Sequence, residues 1–275
     1  MLLSVIIPTF NRMALLEKCL AALEVQTWRE FEVVVAVDGS TDGTLALLEA
    51  VKHRQPFPLT VLSNPQAGRS AARNAAMRAA SGEILLLCDD DLQLESETLA
   101  RHHAFHEVFK NCVAIAAVRF PDGITRFPTR PGWMNFSGCN ASLPRTAAIT
   151  VGLFDESLGG YGGEDLEFGL RLEQHGLKFK ALADAGAYHD GTRVPNPEKA
   201  YSAGRQAVQI AHKYGAGVAL QLGVHETLLT AKRAVLNPIG DFILGKDSNY
   251  AFERAYLKGA RDAWKALETQ DSTPH

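Results

Sequence analysis

LLLCDDDL, Leu85–Leu92, sets three leucines and a cysteine directly against three consecutive aspartates. The apolar run reads as a buried strand, and the end of such a strand is a poor place for three anions. Like charges this close repel, and each raises its neighbours' pKa unless something positive sits among them. What neutralises Asp89, Asp90 and Asp91 is therefore the first question the chain poses.

Working outward, strand-type and helix-type patterns alternate. SVIIP (Ser4–Pro8) is a buried strand stopped by proline, and Asn11 is expected to cap a helix with apolar residues at Leu15, Leu16, Cys19, Leu20 and Leu23. FEVVVAV (Phe31–Val37) and LTVL (Leu59–Leu62) are further strands, Arg69–Ala80 a helix, and Glu83–Cys88 the strand that ends in the aspartates. A helix over Glu97–Phe109 and a strand over Val113–Val118 follow. Continuous apolar strands alternating with helices predict a mostly parallel sheet covered on both faces. Ligands bind such sheets outside the carboxyl ends of the strands. Thr9–Arg12, Asp38–Asp42 and Asp89–Asp91 all fall at those ends. Helix capping would account for one aspartate there, but not for three.

Beyond Phe120 the pattern breaks into Pro, Gly and aromatic residues up to Pro144, with Pro121-Asp122-Gly123 marking a hairpin turn. Helical patterning returns over Asp165–Gln174, with a strand near Lys178–Leu182. Residues 198–270 read as helical, with breaks at Gly215–Gly217 and Pro238–Gly240.

The totals exclude several classes. Of 275 residues, 46% are hydrophobic and 21% charged, with a net charge of −3 and no Lys/Arg block, so nucleic acid is not an expected partner. Cys19, Cys88, Cys112 and Cys139 show no CxxC spacing, and three of them lie in apolar surroundings that fit small buried hydrophobes in a reducing compartment. Met1–Ile7 is apolar but far too short to span a membrane and has no basic leader, so a soluble, cytoplasmic chain is expected.

Several motifs fail on context. Asp38–Glu49 nearly matches a calcium loop but follows a strand instead of a helix, and His225 lacks the second histidine of a zinc-peptidase helix. His102, His103 and His106 could pair on a helix, but without a third ligand type they read as a solvated face. Asp89–Leu92 lacks the hydroxyl of a dehalogenase-type phosphatase motif, and neither GxGxxG nor GxxxxGK[ST] is present. The best physical partner for the aspartates is a divalent cation, Mn²⁺ or Mg²⁺, which takes one or two carboxylates together with phosphate oxygens. Gly159–Leu172 is a second acidic segment. Glycines there allow close backbone approach, and Glu164 and Asp165 open a helix. Ordinary first-turn acids and a catalytic carboxylate both fit that pattern.

SVIIPTFNR, VAVDGSTDGT, GRSAARNAA, SGEILLLCDDDL and GYGGEDLEFGLRL, taken in this order over Ser4–Asp190, resemble the family 2 glycosyltransferases, inverting enzymes of the GT-A fold that use nucleotide-diphosphate sugars. The resemblance implies an α/β GT-A domain over 1–194, with a mostly parallel central sheet and helices on both faces. Its nucleotide-binding half would be 1–118, its acceptor and catalytic half 119–194, and 195–275 a helical C-terminal extension. It implies that Pro8, Thr9, Arg12, Asp38, Arg73, Asp89 and Asp90 face the nucleotide, although Val37 replaces the first of the family's frequent aspartate pair. Asp91 and His189 would hold the metal, Asp165 would be the general base, and Trp133, Gly138, Asn140 and Glu164 would face donor sugar or acceptor, with Trp133 as a stacking platform.

The activity so implied is a metal-dependent hexosyl transfer, UDP-sugars favoured, to a glycan, lipid-linked or other hydroxyl. The alternatives are a non-catalytic nucleotide-sugar or glycan-binding module and a sugar nucleotidyltransferase. Val224–Leu244, which carries Lys232 and Arg233, is expected to pack as an ordinary helix pair. A membrane surface at the inner face or a dimer partner is the other reading of that segment.

Overall fold

The protein is described by a computed structural model over residues 1–65, 67–158, 162–191, 196–231 and 248–271. By contacts it divides into two compact units: Met1–Glu156 with Asp165–Arg193, and Ser157–Glu164 with Val194–His275.

In the first unit, β1 (Leu3–Thr9), β2 (Phe31–Asp38), β3 (Leu59–Asn64) and β4 (Ile84–Leu87) form a parallel run in the order β3-β2-β1-β4. Every residue of β1 and β4 is buried, as expected of strands covered on both faces. The crossovers are α1 (Met13–Glu24), α2 (Thr44–Val51) and α3 (Arg69–Ala79). α1 buries Leu16, Cys19, Leu20 and Leu23, one helical stripe. Its start is not capped by Asn11, which adopts a φ of 51° and accepts from Thr41 N at 2.7 Å. Asp42 Oδ2 takes the Met13 amide instead, at 2.9 Å, so the loop after β2 closes the helix after β1.

The sheet continues through β5 (Leu92–Leu94), β6 (Cys112–Arg119), β7 (Thr125–Arg126), β8 (Ala141–Pro144) and β9 (Lys178–His189). Beyond β4 the order is β8-β6-β9-β5, with β7 paired to β6 in the expected hairpin. The long pairings β1–β2, β2–β3 and β6–β9 are parallel, whereas β8 and β5 run antiparallel to their neighbours. β9 outruns the predicted strand by seven residues, reaching His189 past a register shift opposite Ala116–Val118. That extension lets β5 pair Leu92 with His189, so the histidine arrives beside the aspartates.

α4 (Thr98–Val108) overturns the expectation of a solvated histidine face, because His102 and His106 are fully buried. Both rings reach the Ser142 hydroxyl, at 2.7 and 2.8 Å, and His102 Nε2 lies 3.1 Å from Asn140 Oδ1. Burial pushes His102 down to about 4 and, with His102 beside it, His106 down to about 3. His103 stacks on Trp28, ring centroids 3.8 Å apart. All four cysteines are buried free thiols. α5 (Arg145–Thr150) and α6 (Glu164–Gln174) complete the helices of this unit.

The second unit is helical: α7 (Pro197–Tyr214), α8 (Ala216–Gln221), α9 (Glu226–Ala231) and α10 (Ser248–Asp271). Asn196 caps α7 by accepting from the Glu198 and Lys199 amides. α7 and α10 meet at two glycines: a Cβ on Gly204 would lie 1.9 Å from Tyr256 O, and one on Gly259 2.0 Å from Tyr201 O. Ala207, Val208, Ala211, Leu257 and Ala260 fill the contact. Lys232, Arg233 and Pro238–Gly240 lie outside the described residues. Among the described residues no helix is long and apolar enough to cross a membrane.

Candidate functional site

Two arginines answer the question of the aspartates. Arg73, on α3 and 2% exposed, donates through Nη2 to Asp89 at 2.6 Å and through Nη1 to Asp165 at 3.3 Å. Arg12, in the turn after β1 and 46% exposed, donates from Nη1 to Asp90 at 3.0 Å and to Asp91 at 2.7 Å. Part of the balancing charge thus comes from the protein itself, beside the cation expected there. Four carboxylates from two separate segments converge on two guanidinium groups.

The electrostatics differ along the triplet. Burial pushes Asp89 up, but the combined pull of Arg73, Arg69 and Arg126 leaves its carboxyl below the usual range. Asp90 goes the other way: burial raises it to about 6, against the opposing pull of Arg12.

Gly138 explains how Arg73 fits. A Cβ there would lie 2.8 Å from Arg73 Cζ, so the absent side chain is the guanidinium's room. Asn140, expected to face substrate, is fully buried with φ 56°. Its Nδ2 donates to Ala117 O at 3.0 Å and Ala185 O at 2.9 Å, so it pins strands together. The open stacking face expected of Trp133 is also missing: the side chain is 5% exposed. Glu164 accepts from the Gly162 and Gly163 amides at 3.1 and 3.0 Å, fastening the glycine segment before α6.

Pro8 and Thr9, expected to face a nucleotide, lie past the last β1–β4 pair, Ile6↔Leu87, and pair only with β2 there. Asp38, buried at the end of β2, accepts from the amides of Ala67 at 2.9 Å and Gly68 at 3.0 Å, and from Asn64 Nδ2 at 3.4 Å. It thereby shapes the loop that leads into α3. Neither this partner set nor the burial of Asn74, which follows Arg73 in GRSAARNAA, is legible in the sequence.

A divalent cation fits the residues present. Asp91 Oδ1 and His189 Nδ1 are buried without a hydrogen-bond partner among the described residues, and His189 Nε2 lies 3.5 Å from Asp91 Oδ2. Phe120 backs the imidazole, ring centroids 4.9 Å apart. Among the described residues no group of three or more His, Cys, Asp or Glu could hold an ion by itself. One carboxylate and one imidazole suit an ion that completes its shell with ligand phosphates.

Comparison with known proteins gives the family and the fold. The family model described as Glycosyl transferase family 2 matches residues 4–154, and one described as the N-terminal domain of galactosyltransferase matches residues 121–193. Validoxylamine A glucosyltransferase of Streptomyces hygroscopicus subsp. jinggangensis is 32% identical over 244 residues, 71% of this chain and 57% of that protein. The uncharacterized glycosyltransferase YfnE of Bacillus subtilis is 28% identical over 251 residues, 68% of this chain and 64% of that protein. The chain therefore spans less than two thirds of the length of these relatives.

Among solved structures, S. aureus TarS 1–349 in complex with UDP aligns with a TM-score of 0.65 at 22% identity, covering 98% of this chain and 92% of that one. The Pyrobaculum calidifontis mannosyltransferase PcManGT, in complex with GDP-Man and Mn²⁺, aligns with a TM-score of 0.68 at 18% identity, covering 98% and 88%. At such identities the likeness establishes the fold, a GT-A α/β domain.

Proposed function

Because the chain belongs to glycosyl transferase family 2, we propose that it moves a sugar from a nucleotide-diphosphate sugar to an acceptor hydroxyl in one inverting displacement. The observation that carries this reading is the buried Arg73, which joins Asp89 at the end of β4 to Asp165 at the start of α6. That link, between aspartates 76 residues apart in sequence, supports reading Asp165 as a base working beside the nucleotide.

The nucleoside sits against Pro8, Thr9, Arg12 and Asp38 at the carboxyl ends of β1 and β2. The UDP held by the TarS structure favours uridine as the base. Arg12, being half in solvent, exchanges its two carboxylates for diphosphate oxygens when donor arrives. Asp91 and His189 would hold Mn²⁺ or Mg²⁺, which would supply positive charge for the departing diphosphate. Asp165, oriented through Oδ1 by Arg73, takes the proton from the acceptor hydroxyl as that oxygen bonds to the anomeric carbon. The bond from that carbon to the diphosphate oxygen breaks in the same step, and the configuration inverts. The acceptor is a glycan, a lipid-linked saccharide or another hydroxyl compound.

The test is release of nucleoside diphosphate from a panel of nucleotide sugars in the presence of Mn²⁺. Asp165→Asn keeps UDP binding and loses transfer by at least about 100-fold, the usual scale for a general base. Near-normal turnover in that variant would falsify the base assignment. Binding without turnover for every donor would instead favour a sensor module.

A further inference from the structure

Asn74 follows Arg73 on α3 and is equally buried. Its side-chain amide meets the backbone of Phe154 twice: Nδ2 donates to Phe154 O at 2.9 Å, and Phe154 N donates to Oδ1 at 2.9 Å. Nδ2 also donates to Glu156 Oε1 at 2.7 Å. A reciprocal pair of this kind imitates one rung of a sheet, fixing both the place and the orientation of Phe154.

Phe154 carries that constraint toward the site. Its ring lies 5.4 Å from Arg73 Cζ and 4.4 Å from the Phe168 ring. Phe168 is three residues beyond Asp165 on α6, the spacing that puts two side chains on one face of a helix. The same helix is drawn close to the chain before β8 at Gly169, where a Cβ would meet Phe136 Cβ and Trp133 O, both at 3.0 Å. Arg171, held by the buried Glu167, donates to the carbonyls of Val151 and Leu153 and so fastens the segment that leads into Phe154.

We propose that Asn74 is a positioning residue for Asp165. By locking Phe154 between Arg73 and Phe168, it sets where α6 presents the carboxylate relative to the end of β4. The inference rests on the reading of Asp165 as the base. Asn74's own hydrogen bonds end on Phe154 and Glu156, neither of which is assigned to the donor nucleotide. Its loss therefore acts on the rate of transfer and spares donor affinity.

The test compares kcat, donor KM and calorimetric UDP affinity with Mn²⁺ in the full chain and in Asn74→Ala. The expected result is a fall in kcat of about 10- to 100-fold, the scale of a misplacement near 1 Å. KM and UDP affinity should stay within about twofold, the signature of an interaction felt only in the transition state. An unchanged kcat overturns the proposal, and so does a parallel loss of UDP affinity, which would mark general loosening. If Asn74→Ala does not fold, Phe154→Leu carries the test: it keeps the backbone rung and removes the ring between Arg73 and Phe168. The same split is expected of it, and the same two outcomes overturn the idea. Asp165→Asn in the same assay separates the two readings. If it retains turnover, the base assignment fails. If it is inactive while Asn74→Ala turns over normally, only the positioning role fails.

Discussion

The two arginines do the same arithmetic in opposite surroundings. Arg73 and Arg12 each bind two carboxylates, but Arg73 lies in the interior between α3, β4 and α6, while Arg12 stands half in water at the end of β1. A buried guanidinium cannot leave without stranding two carboxylates in poor solvation, so it acts as a permanent part of the frame. The half-exposed guanidinium of Arg12 is reached by solvent, so a phosphate can approach it, with the buried Asp90 and Asp91 carboxylates then left to another cation. The site thus combines a fixed charge centre with an exchangeable one, and the difference is legible only in their burial.

The largest effect should come from breaking the fixed centre. Arg73→Ala is expected to lower unfolding free energy by about 3–5 kcal/mol, the usual result of removing one partner from a buried pair, and to abolish transfer. Urea denaturation of the variant checks this, and a midpoint close to wild type would show that Asp89 and Asp165 find other partners.

Next in size is a pH effect in which two buried regions pull in opposite directions. His102 and His106 are held at about 4 and about 3, so the unfolded chain takes up their protons first and stability falls as pH drops below ~6.5. For His102 alone the full loss is ~3 kcal/mol at the scale of 1.36 kcal/mol per unit. The shared Ser142 hydroxyl couples the pair, so their losses do not simply add. Asp90, raised to about 6, gives stability that is complete below the unfolded value and is lost as pH rises through 6. It partly offsets the histidines on acidification. Asp90→Asn removes that offset, and its stability should fall more steeply than wild type between pH 7 and pH 5. Parallel pH profiles of the two proteins would count against the assignment.

The smallest effect on stability belongs to the exchangeable centre. Arg12→Ala should cost about 1–2 kcal/mol, more than a surface pair because Asp90 and Asp91 are buried, and raise the donor KM severalfold. Steady-state kinetics beside a thermal melt separate the two. A large stability loss with an unchanged KM would reverse the comparison between the arginines.

The first half of the sheet was readable because its signals are local. Continuous apolar strands, a 3.6-residue stripe on α1 and polar strand ends all lie within a few residues of one another. The second half was less readable because its logic is between distant segments. β5 has three residues and owes its existence to β9, almost a hundred residues later. β8 carries Ser142 inward, which looks wrong for a buried strand until two histidines from α4 are found on its hydroxyl. Those histidines looked solvated because a helix face bearing them is apolar only in context. Asn140 looked like a substrate contact for the same reason: its partners are backbone carbonyls of β6 and β9. The residues of the candidate site were named from motifs, but which arginine meets which aspartate could not be read from spacing.

The room that Gly138 leaves for Arg73 has a consequence for kindred sequences. A side chain at this place and a guanidinium at the other compete for one volume, so the two positions should covary. Chains that keep the arginine should keep the glycine, and those with a bulkier residue there should have traded the arginine for something shorter. Such a paired change would mark copies in which the carboxylate at the start of α6 has lost its charged anchor, a means of sorting working enzymes from retired ones before any assay.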